Sequence, residues 1–145
     1  MLEELKKQIV KIFREFLIYQ NSSLEFRAKI ITFVMHVDNQ NQDCKNRVLK
    51  AVAKATYPND INRANFLIDN IEEYIDKIVT NNGLDYQHLI MRIEKQIKHN
   101  PKLIDKIDIP ILKLFKQCIE DENNLIYHDR VIKFLENIKE EYKNH

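Results

Sequence analysis

The sequence predicts an all-α fold: a single globular helical domain of about seven to eight helices containing two pseudo-symmetric helix–loop–helix units. Three observations carry this expectation. Glycine occurs once and proline three times in 145 residues, too few for the turns that a sheet requires. Apolar residues recur at i, i+3 and i+4 along nearly the whole chain, the period of an amphipathic helix. One helix–loop–helix pattern also occurs twice, which points to an internal duplication.

The later copy spans residues 109–141, IPILKLFKQCIEDENNLIYHDRVIKFLENIKEE. Its first helix carries Leu112, Leu114, Phe115, Cys118 and Ile119, with Pro110 at the start, where a missing N–H costs nothing. Its second carries Val131, Ile132, Leu135 and Ile138, and Tyr142 continues the spacing. A polar run from Glu120 through Asn124 lies between them. The earlier copy spans residues 28–56, AKIITFVMHVDNQNQDCKNRVLKAVAKAT. Ile30 falls on Leu112, Phe33 on Phe115, Val37 on Ile119 and Asp38 on Glu120. After a one-residue difference in the loop, Arg47-Val48-Leu49-Lys50 falls on Arg130-Val131-Ile132-Lys133, and Val52 on Leu135. Phe33, Val37, Phe115 and Ile119 are therefore expected to be buried near a pseudo-twofold axis.

Taken in order, the first helix covers residues 2–19. Leu2, Leu5, Ile9, Ile12, Phe13, Phe16 and Leu17 form one broad apolar stripe, expected to face the core. Its polar face bears Lys6, Lys7, Lys11 and Arg14, which fits a docking or membrane-surface role as the alternative. Ser22 and Glu25 read as a capping box for a second helix over residues 23–37. Residues 38–43 contain no apolar side chain, and Asp43 is expected to cap a third helix ending near Thr56. Pro58 stops that helix, and Asp60 opens a fourth that runs to about Thr80. Gly83 then reads as a left-handed C-terminal signal. Asp85 caps a fifth helix ending at Asn100-Pro101, and residues 101–107 make a short sixth. Asp108 caps the seventh, and the eighth closes the chain. The domain is expected to span residues 1–145, with residues 1–22 as an N-terminal amphipathic segment.

Charged residues make up 31% with both signs mixed, and the formal net charge is +1, which argues against a strongly basic nucleic-acid binder. No apolar run approaches a membrane span. Glu3, Glu4 and Glu15 break a signal-peptide pattern, so a cytoplasmic location is expected. Cys44 and Cys118 sit at the two loop–helix junctions without C-x-x-C spacing. They are expected to be free thiols in a reducing compartment, so that a reductant leaves the melting temperature unchanged.

No catalytic set is apparent. His36, His88, His99, His128 and His145 show neither i, i+4 pairing nor H-E-x-x-H, and a single glycine excludes a phosphate-cradling loop. Tyr57, Tyr86 and Tyr127 lie near helix ends, positions suited to packing or interface anchoring. Neither polar loop is a calcium loop of the EF-hand type. Counting from Asp38 places Asp43 at the glycine position and Leu49 at the glutamate position. Counting from Asp121 places Leu125 and Ile132 where oxygen ligands are needed.

At these loops the chain resembles the tellurite-resistance TerB family, an all-helical domain of similar size with duplicated helix–loop–helix units. The resemblance covers residues 23–142. Each family repeat carries an Asp-Gly-acid run after its first helix and further acids at the start of the next. Asp38-Asn39-Gln40 stands in the first such run, with Asp43 among the following acids. Asp121-Glu122-Asn123 matches the second run, and Asp129 a later acid. The family's glycines are missing from both loops and its acid cluster is thinned. The resemblance implies a scaffold in membrane-associated stress complexes. It also implies weakened or lost binding of calcium or another divalent cation through Asp38, Asp43, Asp121 and Asp129.

The leading expectation is thus a non-enzymatic, TerB-like interaction module with a protein partner, no nucleic acid, and membrane association only through partners or the first helix. The rivals are a divalent-cation sensor using the two loops, and an unrelated helical adaptor or chaperone.

Overall fold

The computed structural model describes residues 1–20, 22–35, 40–80 and 85–144, and of residues 13–22 it describes no side chains. Among the described residues every regular element is helical. The centre of the fold is α2 (Ser22–Met35), which follows α1 (Leu2–Gln20). Leu24, Phe26, Ala28, Ile30, Ile31, Phe33, Val34 and Met35 are all buried. A helix apolar on most sides needs neighbours around most of its circumference. It packs against α4 (Ile61–Val79), α5 (Tyr86–His99) and α7 (Glu122–Tyr142). Lys29 is buried on this helix, and its ammonium donates to Glu25 Oε1 at 3.0 Å and Gln96 Oε1 at 2.6 Å. Without such acceptors, desolvating the charge would oppose folding.

Local capping follows the sequence closely. The carboxylates of Asp60, Asp85 and Asp108 each accept a backbone N–H from three residues on, opening α4, α5 and α6 (Ile109–Leu112). Each satisfies a donor that the first helical turn leaves unpaired. Pro101 opens a 3-10 segment, Pro101–Lys106, whose Leu103 and Ile104 are buried. Glu25 pairs with Lys29. The side chain of Ser22, and all of Gly83, lie outside the described residues.

The expected seventh helix is split. After one turn of α6 the chain tightens into a second 3-10 segment, Lys113–Cys118. Leu112, Phe115 and Cys118 are buried, whereas Leu114 is exposed. A three-residue spacing lines up on a 3-10 helix, where positions i and i+3 eclipse, and drifts on an α-helix. The burial pattern and the tighter winding therefore agree.

The positions that the repeat alignment matches lie in the core. Ile30 and Leu112, Phe33 and Phe115, Val48 and Val131, Leu49 and Ile132, and Val52 and Leu135 are all buried. Ile119 is half-buried, and Val37 lies outside the described residues. The match extends to polar groups: the register that sets Arg47 on Arg130 sets Lys45 on His128, and both are buried. Phe33 also meets Phe134 edge-to-face, with ring centroids 6.0 Å apart.

One expectation about the core is overturned. Over its described side chains the stripe on α1 does not face inward: Leu2, Leu5, Ile9 and Ile12, with neighbouring Val10, keep between 54% and 76% of their surface exposed. Within the fold α1 packs chiefly against α2. The side chains of Phe13, Phe16 and Leu17 lie outside the described residues.

Candidate functional site

The two polar loops come together. α3 (Gln42–Thr56) begins after Asn41, whose backbone is left-handed at φ 54°. Asn tolerates this conformation better than other non-glycine residues. Its side chain does not cap α3. The Asn41 amide instead donates to the carbonyl oxygen of Cys118, at 2.7 Å. Asp43, expected to be the cap, lies one residue inside the helix and is exposed.

Beside this hydrogen bond, Cys44 and Cys118 form a disulfide, with Cα atoms 5.6 Å apart and a separation of 74 positions in sequence. The expected free thiols are thus corrected. Spacing along the chain carried no signal of the bridge. Packing of α3 against the Lys113–Cys118 segment brings the two Cα atoms within bridging range. The cytoplasmic expectation loses the support it took from free thiols.

Behind the bridge lies a narrow cavity of about 10 Å³, lined by Val34, Met35, Lys45, Cys118, Tyr127 and His128 among others. That is roughly the space of a single water. His128 is 1% exposed, and neither ring nitrogen has a hydrogen-bond partner. Burial pushes its pKa below the ordinary histidine value; Asp129 opposes the shift, while Lys116 and Lys113 reinforce it. Tyr127 donates to the Phe33 carbonyl at 3.1 Å and meets Tyr86 edge-to-face. Burial raises the pKa of Tyr127, keeping its phenol protonated as that donor.

The carboxylates expected to hold a cation are placed as follows. Asp121 Oδ2 accepts the Asn124 N–H at 3.2 Å and so caps α7. Asp129 Oδ1 lies 3.3 Å from Lys116 Nζ in an exposed pair, a geometry that contributes little stability. Asp38 lies outside the described residues. Among the described residues, no group of three or more His, Cys, Asp or Glu side chains is arranged to hold a metal ion. Hard cations need several oxygens converging on one point, and Asp121 and Asp129 are directed to other partners.

A second candidate surface is α1 itself. Leu2, Leu5, Ile9 and Ile12 alternate at spacings of three and four, the seam pattern of packed helices, and Phe16 and Tyr19 continue it in sequence. Lys6, Lys7 and Lys11 gather around Val10 beside this seam. Among the described residues, no helix is long and apolar enough to cross a membrane.

Sequence reasoning missed Asn41, the disulfide and the orphaned ring of His128. Asn41 lies within a run of amides that no local pattern separates, and the other two depend on contacts distant in sequence. Comparison with models of known protein families, with curated proteins and with solved structures finds no match for this chain.

Proposed function

We propose that this chain is a non-enzymatic, TerB-like helical interaction module that acts by contact through α1. One observation carries the reading: five large apolar side chains on α1 stay more than half exposed. Isolated exposed apolar residues are ordinary, but a contiguous stripe on one helix marks an interaction surface. The seam spacing fits another helix, and Lys6, Lys7 and Lys11 along its edge fit acidic flanking residues. The partner is therefore a protein helix or groove with an apolar seam bordered by Asp or Glu. A lipid surface fits less well, because Glu3 and Glu4 occupy the first turn of the same helix and repel anionic headgroups.

The test titrates the full chain with two fluorescent helical peptides, each bearing a Leu/Ile seam, one flanked by Glu and the other by Lys. The Glu-flanked peptide should bind, and Leu5→Asp with Ile9→Asp should abolish binding while circular dichroism stays unchanged. Absence of peptide binding alongside α1-dependent binding to anionic phosphatidylserine vesicles would replace the protein partner with a lipid surface.

A further inference from the structure

We propose that Cys44–Cys118 is an exchangeable redox couple, in which Cys44 receives an external thiol and Cys118 leaves into the cavity that it shares with His128. This couple is separate from α1 and stands whether or not α1 docks a partner.

The two sulfurs are unequal. Cys44 is only partly buried and is the third residue of α3. There the helix dipole favours a thiolate. Asn41 does not cap this turn with its side chain, since its amide is held by the Cys118 carbonyl. Exposed Asp43, one residue before Cys44, works against the thiolate. Cys118 is 3% exposed and lies out of reach of an external nucleophile. An accessible sulfur favoured as thiolate, paired with a buried one, divides the roles of attack and departure.

His128 supplies the independent observation. A buried ring with both nitrogens unpartnered is costly to keep. In the oxidised state the lining cysteine is a disulfide sulfur, a poor hydrogen-bonding group. In the reduced state Cys118 carries an S–H or S⁻ in the same cavity, and a neutral imidazole can accept from the first or donate to the second. Reduction of the bridge thus puts a hydrogen-bonding sulfur into the cavity that His128 lines.

The step balances with a small or protein thiol as reductant. Its thiolate attacks Cys44 Sγ; a new S–S bond forms there as the Cys44–Cys118 bond breaks, and the electron pair leaves on Cys118 Sγ. The His128 N–H hydrogen-bonds to that leaving sulfur, and the proton lost by the incoming thiol ends on Cys118. A second thiolate then attacks the external sulfur, releasing Cys44 as a thiol and the reductant as its disulfide. Two external thiols are oxidised, and one protein disulfide is reduced.

The experiment incubates the oxidised full chain with reduced glutathione in the absence of denaturant. Products are quenched with acid and mapped by mass spectrometry, and circular dichroism is recorded in parallel. Glutathione should be found on Cys44, with helicity retained, and Cys118→Ser should leave a Cys44 thiol that iodoacetamide alkylates readily. His128→Leu should slow reduction roughly tenfold or more, the loss expected for one hydrogen bond to a charged leaving sulfur. Resistance to glutathione until the chain is unfolded, or glutathione on Cys118, would overturn the couple. An unchanged rate in folded His128→Leu would overturn the assignment of His128. Should that variant fail to fold, the mapping on the unaltered chain still decides the couple, and His128→Gln, which retains an N–H donor, replaces it, with reduction within threefold of the unaltered rate expected and a loss as large as tenfold overturning the assignment.

Discussion

The side-chain amide of Asn41 reaches the carbonyl oxygen of Cys118 at 2.7 Å, tying the start of α3 to the end of the Lys113–Cys118 segment. The same residue holds a left-handed backbone at φ 54°. Asn41→Ala removes the hydrogen bond and places a Cβ without compensation in that region, so it should cost about 2 kcal/mol. Asn41→Gly loses the bond but relieves the backbone and should cost about 1 kcal/mol or less. Denaturant titration of both variants, with the disulfide intact, checks the order. Glycine as the worse substitution would remove the backbone argument.

Reduction should destabilise the fold. Closing a loop of 74 residues lowers the entropy of the unfolded chain, by the chain-entropy relation worth about 4 kcal/mol. Cys44→Ser with Cys118→Ser should therefore melt on the order of 10 °C below the oxidised chain. Calorimetry in the presence and absence of reductant measures this directly, and coincident melting curves would show that the bridge does not constrain the unfolded state.

Phe115 is buried at the position that matches Phe33 in the duplication. Phe115→Ala should cost about 3–5 kcal/mol, from lost burial and the cavity left behind. A loss well under 1 kcal/mol by denaturant titration would take Phe115 out of the core and weaken the pairing of the two units.

His128 sets a pH dependence. Its folded pKa is lowered by burial, with Lys116 and Lys113 adding to the shift and Asp129 opposing it. Unfolded, it returns to about 6.5. Below that pH the unfolded chain takes up a proton that the folded chain refuses, so stability falls as pH drops through 6.5 towards the folded value. Above it the contribution is fully present. The wild type should lose more stability between pH 7.5 and 5.5 than His128→Leu. Identical losses in parallel urea titrations would show that this ring does not titrate on unfolding.

Much of the fold was legible from residue order, because helix period and capping act between near neighbours. Asp60, Asp85 and Asp108 cap where spacing places them. The matched positions Val48 and Val131, and Val52 and Leu135, are buried as their helical spacing predicts. The break of the seventh helix into a 3-10 segment was not legible, since Leu112, Phe115 and Cys118 fit either winding until their surroundings select one.

The sequence by itself determined an all-helical chain, the caps at Asp60, Asp85 and Asp108 and most of its core, because those depend on contacts within a turn or two. Three things were decided only by the tertiary structure. The stripe on α1 is as apolar as a core face, and only the packing of the whole chain leaves Leu5 and Ile9 exposed. Cys44 and Cys118 carry no local mark of pairing, and only the packing of α3 against the Lys113–Cys118 segment sets their Cα atoms 5.6 Å apart. His128 is one histidine among five in the sequence. Its burial beside that bridge with no partner for either nitrogen arises from residues distant along the chain, which local patterning does not encode.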